Sequence, residues 1–418
     1  MNIFGKLSKN TILFLALAEL FSLVTYLLPP FDQAAFFVIL ALTVILVLTK
    51  LEYGLYLMLA ELFVGGFGRL FSFPLGSFTI SIRMALFFLI LILWPIKRQK
   101  AKIKNQFKPN SDFLPACRQA GLLISYFLFL ICLAFATING AINNHLTTVF
   151  FDANAWVYFI LIIIFWDSIK TKKTIADILQ VLTGATAYLA LKTLGVLFLF
   201  SQNITGIGGL FYKWLRDSGV GEITYVSGSI FRVFFQSQIY CLIGFLLVLM
   251  ILLANYQKLK KSELILFLGY LYLTSLALLI SQSRSYWVGA VAGLLLILIF
   301  AWFKFGFRIK KTVALIMALL VMLLSQLLLI QIVTGNFSSN VVASRFGNLE
   351  KEPAGISRLN QLQPLIYNIS QKAVLGYGFG KQLTYISQDP RIVKNHPGGV
   401  YTTYAFEWGY LDIALKLG

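Results

Sequence analysis

Long apolar runs, one after another, constrain this chain more than any other feature. A helix needs about 20 mostly apolar residues to cross a bilayer core. Eleven runs qualify, at roughly 11–28, 33–49, 53–68, 79–96, 120–138, 153–168, 175–200, 229–254, 262–281, 286–303 and 312–333. A twelfth, 400–418, is weak because it carries Glu407, Asp412 and Lys416. With 59% hydrophobic and only 12% charged residues, the chain has too much apolar surface for a soluble domain. Inside lipid, backbone groups must be satisfied within the segment, which favours helices. The expected fold is therefore an all-α polytopic membrane helix bundle of about 11–12 transmembrane helices, read as one integral membrane domain over 1–418. The first run lacks small-residue cleavage signals and is expected to be retained. The weak final run stops without a capped terminus or basic tail, so a further helix or two is expected beyond it.

The net charge of +19 is explained by where the basic residues sit. They cluster in alternate connections: Lys6 and Lys9; Lys50; Lys97, Arg98, Lys100, Lys102, Lys104 and Lys108; Lys170, Lys172 and Lys173; Lys258, Lys260 and Lys261; Lys304, Arg308, Lys310 and Lys311. The connection 139–152 contains neither Lys nor Arg. This positive-inside pattern places the N-terminus in the cytoplasm. Nucleic acid is not an expected partner, because no patch joins charge to stacking aromatics in a soluble module. The outer face then receives 201–228, the short turn at Arg284 and the longest connection, 334–399, which should fold as a cap because loops of that length are seldom structureless.

Within that connection, Ser357–Ala373 has Leu359, Leu362, Ile366 and Ile369 at helical spacing. Pro364 is expected to kink or end the helix. Gly376-Tyr377-Gly378-Phe379-Gly380 reads as a tight turn using positive φ. Cys117, Cys132 and Cys241 have no redox or zinc spacing and read as small apolar fillers. No phosphate loop, HExxH, GxSxG or metal-spaced aspartate pair is present, so neither a cofactor nor a metal is expected.

The residues that could carry chemistry are few. Arg284, in Ser281-Gln282-Ser283-Arg284-Ser285, stands between two apolar runs. A guanidinium stays protonated and is kept at a bilayer rim where an anion awaits it. Arg358, at the start of its helix, and Arg232, near the outer end of its run, share that side, and the fork of guanidinium donors matches phosphate oxygens. An anionic, lipid-linked diphosphate is the natural guest. Outer-face arginines also snorkel to headgroups. His396, in Lys394-Asn395-His396-Pro397, is the histidine placed to take a proton from a hydroxyl. His145 reads as a solvated histidine in the Lys-free connection. Glu19, Glu61 and Lys192 lie inside runs and should face the bundle interior and pair there.

In order along the chain, Ser-x-Ser-Arg284, Ser357-Arg358-x-x-x-Leu362, Leu375-Gly376-Tyr377-Gly378-Phe379-Gly380, and His396 ahead of Phe406-Glu407-Trp408-Gly409 resemble the O-antigen ligase and polymerase superfamily over roughly 225–418. The stretch from His396 to Gly409 is longer than that family's usual spacing. The resemblance implies a metal-independent glycosyltransferase in a bacterial plasma membrane. It would move glycan from a polyprenyl-diphosphate carrier to a glycan or lipid acceptor at the outer face. Arg284 and Arg358 would hold the diphosphate, and His396 would act as general base or orient the acceptor. Ligase and polymerase share this site and differ in the acceptor. A lipid-linked sugar transporter or flippase would instead show inverted repeats and broken helices, and no repeat is found. A scaffold would leave Arg284 and His396 without a role.

Overall fold

The computed structural model describes residues 2–28, 31–76, 78–103, 116–204, 208–305, 309–335 and 353–418. Lys104, Lys108, Arg308, Glu350, Glu352 and the first part of the expected cap lie outside the described residues. The described residues are overwhelmingly helical, and the three two-stranded antiparallel sheets among them are small, as expected for a polytopic membrane bundle. The helices and strands run α1 Lys6–Leu27, α2 Asp32–Thr49, α3 Leu51–Val64, β1 Ser72–Leu75, β2 Phe78–Ser81, α4 Ile82–Ile103, α5 Ala116–Asn143, α6 Leu146–Val157, α7 Leu161–Ser168, α8 Lys172–Ser201 and α9 Gly208–Asp217. They continue with β3 Gly221–Ser227, β4 Ile230–Phe235, α10 Gln238–Asn255, α11 Lys261–Ser281, α12 Arg284–Phe305, α13 Ile309–Thr334, α14 Pro353–Gln371, β5 Leu383–Ile386, α15 Pro390–Asn395, β6 Val400–Thr403 and α16 Gly409–Leu417.

Among the described residues, nine helical stretches are long and apolar enough to cross a membrane, with α6 and α7 joined into one through Leu146–Ser168. Four of the expected runs behave differently, and the run at 79–96 is one of them: it begins in strand β2 and continues as α4, which is not among the nine stretches. The run at 53–68 is α3, whose 14 residues span only ~21 Å at 1.5 Å per residue. The run at 229–254 begins as strand β4 and becomes helical only at Gln238. The run at 400–418 is not one helix: Val400–Thr403 pairs with Leu383–Ile386, and α16 has just nine residues. Its charged residues are spent on ion pairs, which is why its hydropathy was weak. The connection 139–152 is also largely helical, since α5 runs to Asn143 and α6 starts at Leu146.

Packing divides the chain into two compact units, one of residues 1–106 and 164–338, the other of 107–163 and 339–418. In the first, α8 is the most enclosed of the described spans, whereas few residues of α12 and α13 are fully buried. The sequence of α8 explains its place. Small residues let backbones approach, as in other membrane bundles: a Cβ on Gly184 would stand 2.4 Å from the Ser8 carbonyl of α1. Buried hydroxyls then bond across helices, Thr186 to Tyr270 at 2.7 Å and Thr183 to the Ile3 carbonyl at 2.7 Å. Glu19 and Lys192 pair at 2.6 Å with side chains only 6% exposed, and the Tyr188 hydroxyl donates to the same carboxylate. Glu61 accepts a bidentate contact from Arg83, whose Nε and Nη2 donate to its two carboxylate oxygens at 2.7 and 3.1 Å. The in-span charges therefore find one another, as anticipated.

The Lys-poor ends of this unit's helices gather together. Ser22 near the end of α1 donates to the Leu70 carbonyl, the Phe67 N–H bonds the Gly219 carbonyl, and the Gly66 N–H bonds Ser237. The hairpins β1–β2 and β3–β4 sit at this end.

In the second unit, the Asn144 side chain at the α5–α6 turn donates to the carbonyls of Tyr377 and Phe379. The glycine-rich segment is thereby held against the Lys-free turn. Helix α14 passes through Pro364 and reaches Gln371, so the proline does not end the helix. Its neighbour Leu365 is fully buried with Leu383, Phe406 and Leu415, and this packing carries the helix past the proline.

Candidate functional site

Arg284 is the first residue of α12 and follows a turn whose Gln282 is left-handed at φ +47°. The turn is firmly built. Ser281, Gln282 and Ser283 are buried, the Ser283 N–H bonds the Ser281 hydroxyl at 3.2 Å, and the Ser283 and Ser285 hydroxyls lie 3.0 Å apart. Arg232 lies on β4 rather than on the helix that the sequence suggested, because Ile230–Phe235 pairs with Gly221–Ser227 across the Gly228 turn. From that strand its Nε donates to the Ser281 carbonyl at 2.9 Å. The hairpin thus brings a second guanidinium to the Arg284 turn. Its guanidinium carbon stands 4.8 Å from the Phe234 ring, and Phe234 in turn stacks on Tyr286 of α12. The result is a cationic shelf at the N-terminal end of a helix, where the helix dipole adds positive potential.

Beneath that shelf, the Lys192 ammonium stands 4.7 Å from the Phe235 ring and 5.6 Å from Trp214. Gln238, fully buried, accepts the Phe235 N–H and donates to Thr193. The Glu19–Lys192 pair therefore supports the strand that bears Arg232.

The second unit carries Arg358 and His396 on one frame. Ser357 accepts the Gln388 N–H at 2.8 Å, and Ser387 bonds the Gly399 carbonyl at 2.7 Å. These bonds tie the start of α14 to both ends of the segment that contains His396. The His396 ring is exposed at the end of α15, 6.4 Å from the Tyr401 ring. Pro397-Gly398-Gly399 turns the chain back into β6, with φ +95° at Gly398 and +71° at Gly399. Arg358 is exposed and forms an ion pair with Glu407, whose side chain is about half-exposed. The Trp408 indole donates to the Arg358 carbonyl at 2.8 Å, and the Glu407 N–H bonds Gln361 at 3.1 Å. An exposed pair like this is worth only ~0–1 kcal/mol, so an anion of higher charge can exchange with Glu407.

The glycine-rich segment is a tight turn, as its sequence suggested, with φ +58°, +78° and +78° at Gly376, Gly378 and Gly380. Its N–H groups are all engaged: Tyr377 with the Leu415 carbonyl, Gly378 with Lys416, Phe379 with Ala136, and Gly380 with Asp152 at 2.7 Å. Asp152 also accepts from Lys416 at 2.7 Å, and Lys416 reaches Asp412 at 2.9 Å. Burial raises the Asp412 carboxyl above its ordinary value, against the pull of Lys416. This triad, centred on the buried Lys416, was missed in the sequence. Its signal was present in the i, i+4 spacing of Asp412 and Lys416, but Asp152 stands 264 residues away. Among the described residues, no group of three or more His, Cys, Asp or Glu could hold a metal ion.

A family model described as O-antigen ligase matches residues 269–418. No curated protein and no solved structure matches the chain.

Proposed function

We propose, on the match of residues 269–418 to a family model described as O-antigen ligase, that this multi-pass membrane protein transfers glycan from a polyprenyl-diphosphate carrier to an acceptor at the outer face of the plasma membrane, without a metal. The observation that carries this reading is the Arg284 turn, where a second guanidinium, Arg232, is bonded to the backbone that presents the first. Arg284, Arg358 and His396 all fall inside the matched stretch.

In the proposed reaction, an acceptor hydroxyl oxygen attacks the anomeric carbon of the donor sugar. The carbon–oxygen bond to the diphosphate breaks, and its electron pair leaves on the diphosphate. The hydroxyl proton passes to His396. Arg284 and Arg358 hold the diphosphate and neutralise the charge that grows on it, with Arg232 beside the Arg284 turn. Fixed donors aimed at developing charge are the strongest catalytic device available to such a site. Glu407 keeps Arg358 oriented until the more highly charged diphosphate displaces it. The outer-face assignment is supported by charge placement along the sequence: the lysine clusters fall in alternate connections, and the Arg284 turn and the Lys-free connection 139–152 fall in the others. Metal independence is supported by the arginines, which supply the positive charge that a divalent ion would otherwise bring. Ligase and polymerase remain one chemistry with different acceptors.

The test is transfer from a defined polyprenyl-diphosphate glycan by purified protein in nanodiscs. Arg284→Lys keeps the charge but loses the two-pronged fork, and should lose most of the activity. Full activity in this variant would sink the diphosphate clamp.

A further inference from the structure

A polar cavity of about 360 Å³ opens in the second unit between the α5–α6 turn and the residues that lead into β5. Its size is at the small end for ligand sites, which run ~300–1,000 Å³. Asn143, Asn144, His145, Lys381 and Gln382 line it, and Gly380 closes one side. We propose that this cavity binds an acidic saccharide unit of the acceptor, with the sugar carboxylate facing Lys381 and the start of α6. The proposal rests on the glycosyl-transfer reading for the word acceptor, but not for the binding itself.

The lining has the chemistry of a sugar site. Gln382 and the imidazole offer both donors and acceptors, and Asn143 and Asn144, whose amide nitrogens are engaged, offer their oxygens, which suits hydroxyl groups that act as both donor and acceptor. The preference for an acid comes from charge. Lys381 supplies an ammonium, and Lys372 shares with it the ring of Tyr377, at 4.7 and 4.4 Å respectively. His145 is the N-cap of α6, its side chain makes no capping bond, and no acidic residue occupies the helix's first turn. The positive end of the α6 dipole is therefore not offset by its own sequence. Among the described residues, no carboxylate lines the cavity. Asp152 lies behind it, but its two oxygens are held by the Gly380 N–H and by Lys416.

The cavity is also well placed. Gln382 leads directly into β5, and His396 lies beyond the other end of that strand, where Ile386 pairs with Val400. Four residues of strand extend ~13 Å at 3.3 Å each. A sugar seated in the cavity would thus be a few units away from the hydroxyl that reacts at His396. The site would recognise the acceptor chain rather than its reacting end.

The experiment measures binding by the full-length protein in phosphatidylcholine nanodiscs, with no donor present. The probes are a disaccharide ending in glucuronate and the same disaccharide ending in glucose. The uronate should bind more tightly than the neutral sugar. Lys381→Gln should weaken uronate binding roughly 10–100-fold, the range for a charge-assisted hydrogen bond, while Lys381→Arg should retain most of it. His145→Gln should weaken it less. Equal binding of both sugars, no uronate binding, or uronate binding indifferent to Lys381→Gln would each overturn the proposal. Loss of uronate binding in phosphatidylglycerol nanodiscs would also overturn it, by showing a lipid-headgroup site. Uronate binding without any transfer activity would instead overturn the glycosyl-transfer reading and leave the cavity's preference standing.

Discussion

Lys416→Met should be the most damaging single change in the second unit, and its damage should depend on pH. The ammonium is 2% exposed and holds Asp152, itself 9% exposed, at 2.7 Å. Removing one partner of a buried ion pair typically costs ~3–5 kcal/mol, because the other charge is left uncompensated. Asp412, at 22% exposure, can recover part of its solvation and is left out of that figure. At ~2–4 °C per kcal/mol for a domain of 150–250 residues, the apparent melting temperature should fall by roughly 6–20 °C. Burial already raises the Asp412 carboxyl, against the pull of Lys416, and without Lys416 it should rise further. A carboxyl raised on folding favours the folded state below its unfolded value, and this benefit is lost as pH climbs through the folded value. The deficit of the variant should therefore be greatest at neutral pH and above, and shrink on acidification. Fluorescence-detected melting of the detergent-solubilised protein from pH 5 to pH 8 would read this. Adding Asp152→Asn, which keeps an oxygen for the Gly380 N–H, should restore part of the loss at pH 8. A deficit that is flat with pH, together with no rescue by Asp152→Asn, would refute the reasoning.

Three further outcomes are expected. Gly378→Ala places a Cβ 2.3 Å from the Gly140 nitrogen at φ +78°; the left-handed backbone alone costs ~1–2 kcal/mol, so melting should drop by several degrees and proteolysis near 376–380 should quicken. His396→Ala should slow transfer by ~10²–10⁴-fold, the usual worth of a general base, while donor binding measured directly stays intact; an unchanged rate would return His396 to the role of a surface histidine. Chelator treatment should leave transfer unaffected, and an activity that chelation abolishes and magnesium restores would contradict the arginine-based reading.

The helical architecture was legible because apolar runs of bilayer length leave little alternative. The pairing of in-span charges was legible in kind but not in detail. Glu19 and Lys192 are 173 residues apart, and nothing local names one as the partner of the other. The β3–β4 hairpin was hidden for a different reason. Ile230–Phe235 is apolar and runs unbroken into α10, and a continuous apolar run does not distinguish strand from helix. The Ser227-Gly228-Ser229 turn was the available clue. In the candidate site, the residue types were readable, since a lone arginine between apolar runs and a single well-placed histidine stand out. Their partners were not: Glu407 on Arg358, the Ser281 carbonyl under Arg232 and Asp152 under the glycine turn all depend on tertiary contact. The glycine turn itself was readable because positive φ is written in its composition.

The seat of that glycine turn lies outside the stretch that matches the family. Gly378 rests on Gly140 backbone to backbone, and Gly140 in turn faces the Phe379 carbonyl, where an added Cβ would meet it at 2.4 Å. Atoms of the main chain cannot be exchanged for a smaller rotamer, so the two segments are bound to each other's path rather than to each other's side chains. For anyone recombining such proteins, this fixes the crossover points. A graft of residues 269–418 onto a foreign N-terminal half would arrive without its mould, however well the candidate site residues were copied. Residues 116–163 should travel with the graft, and chimaeras cut on either side of that hairpin should separate cleanly into folded and unfolded classes.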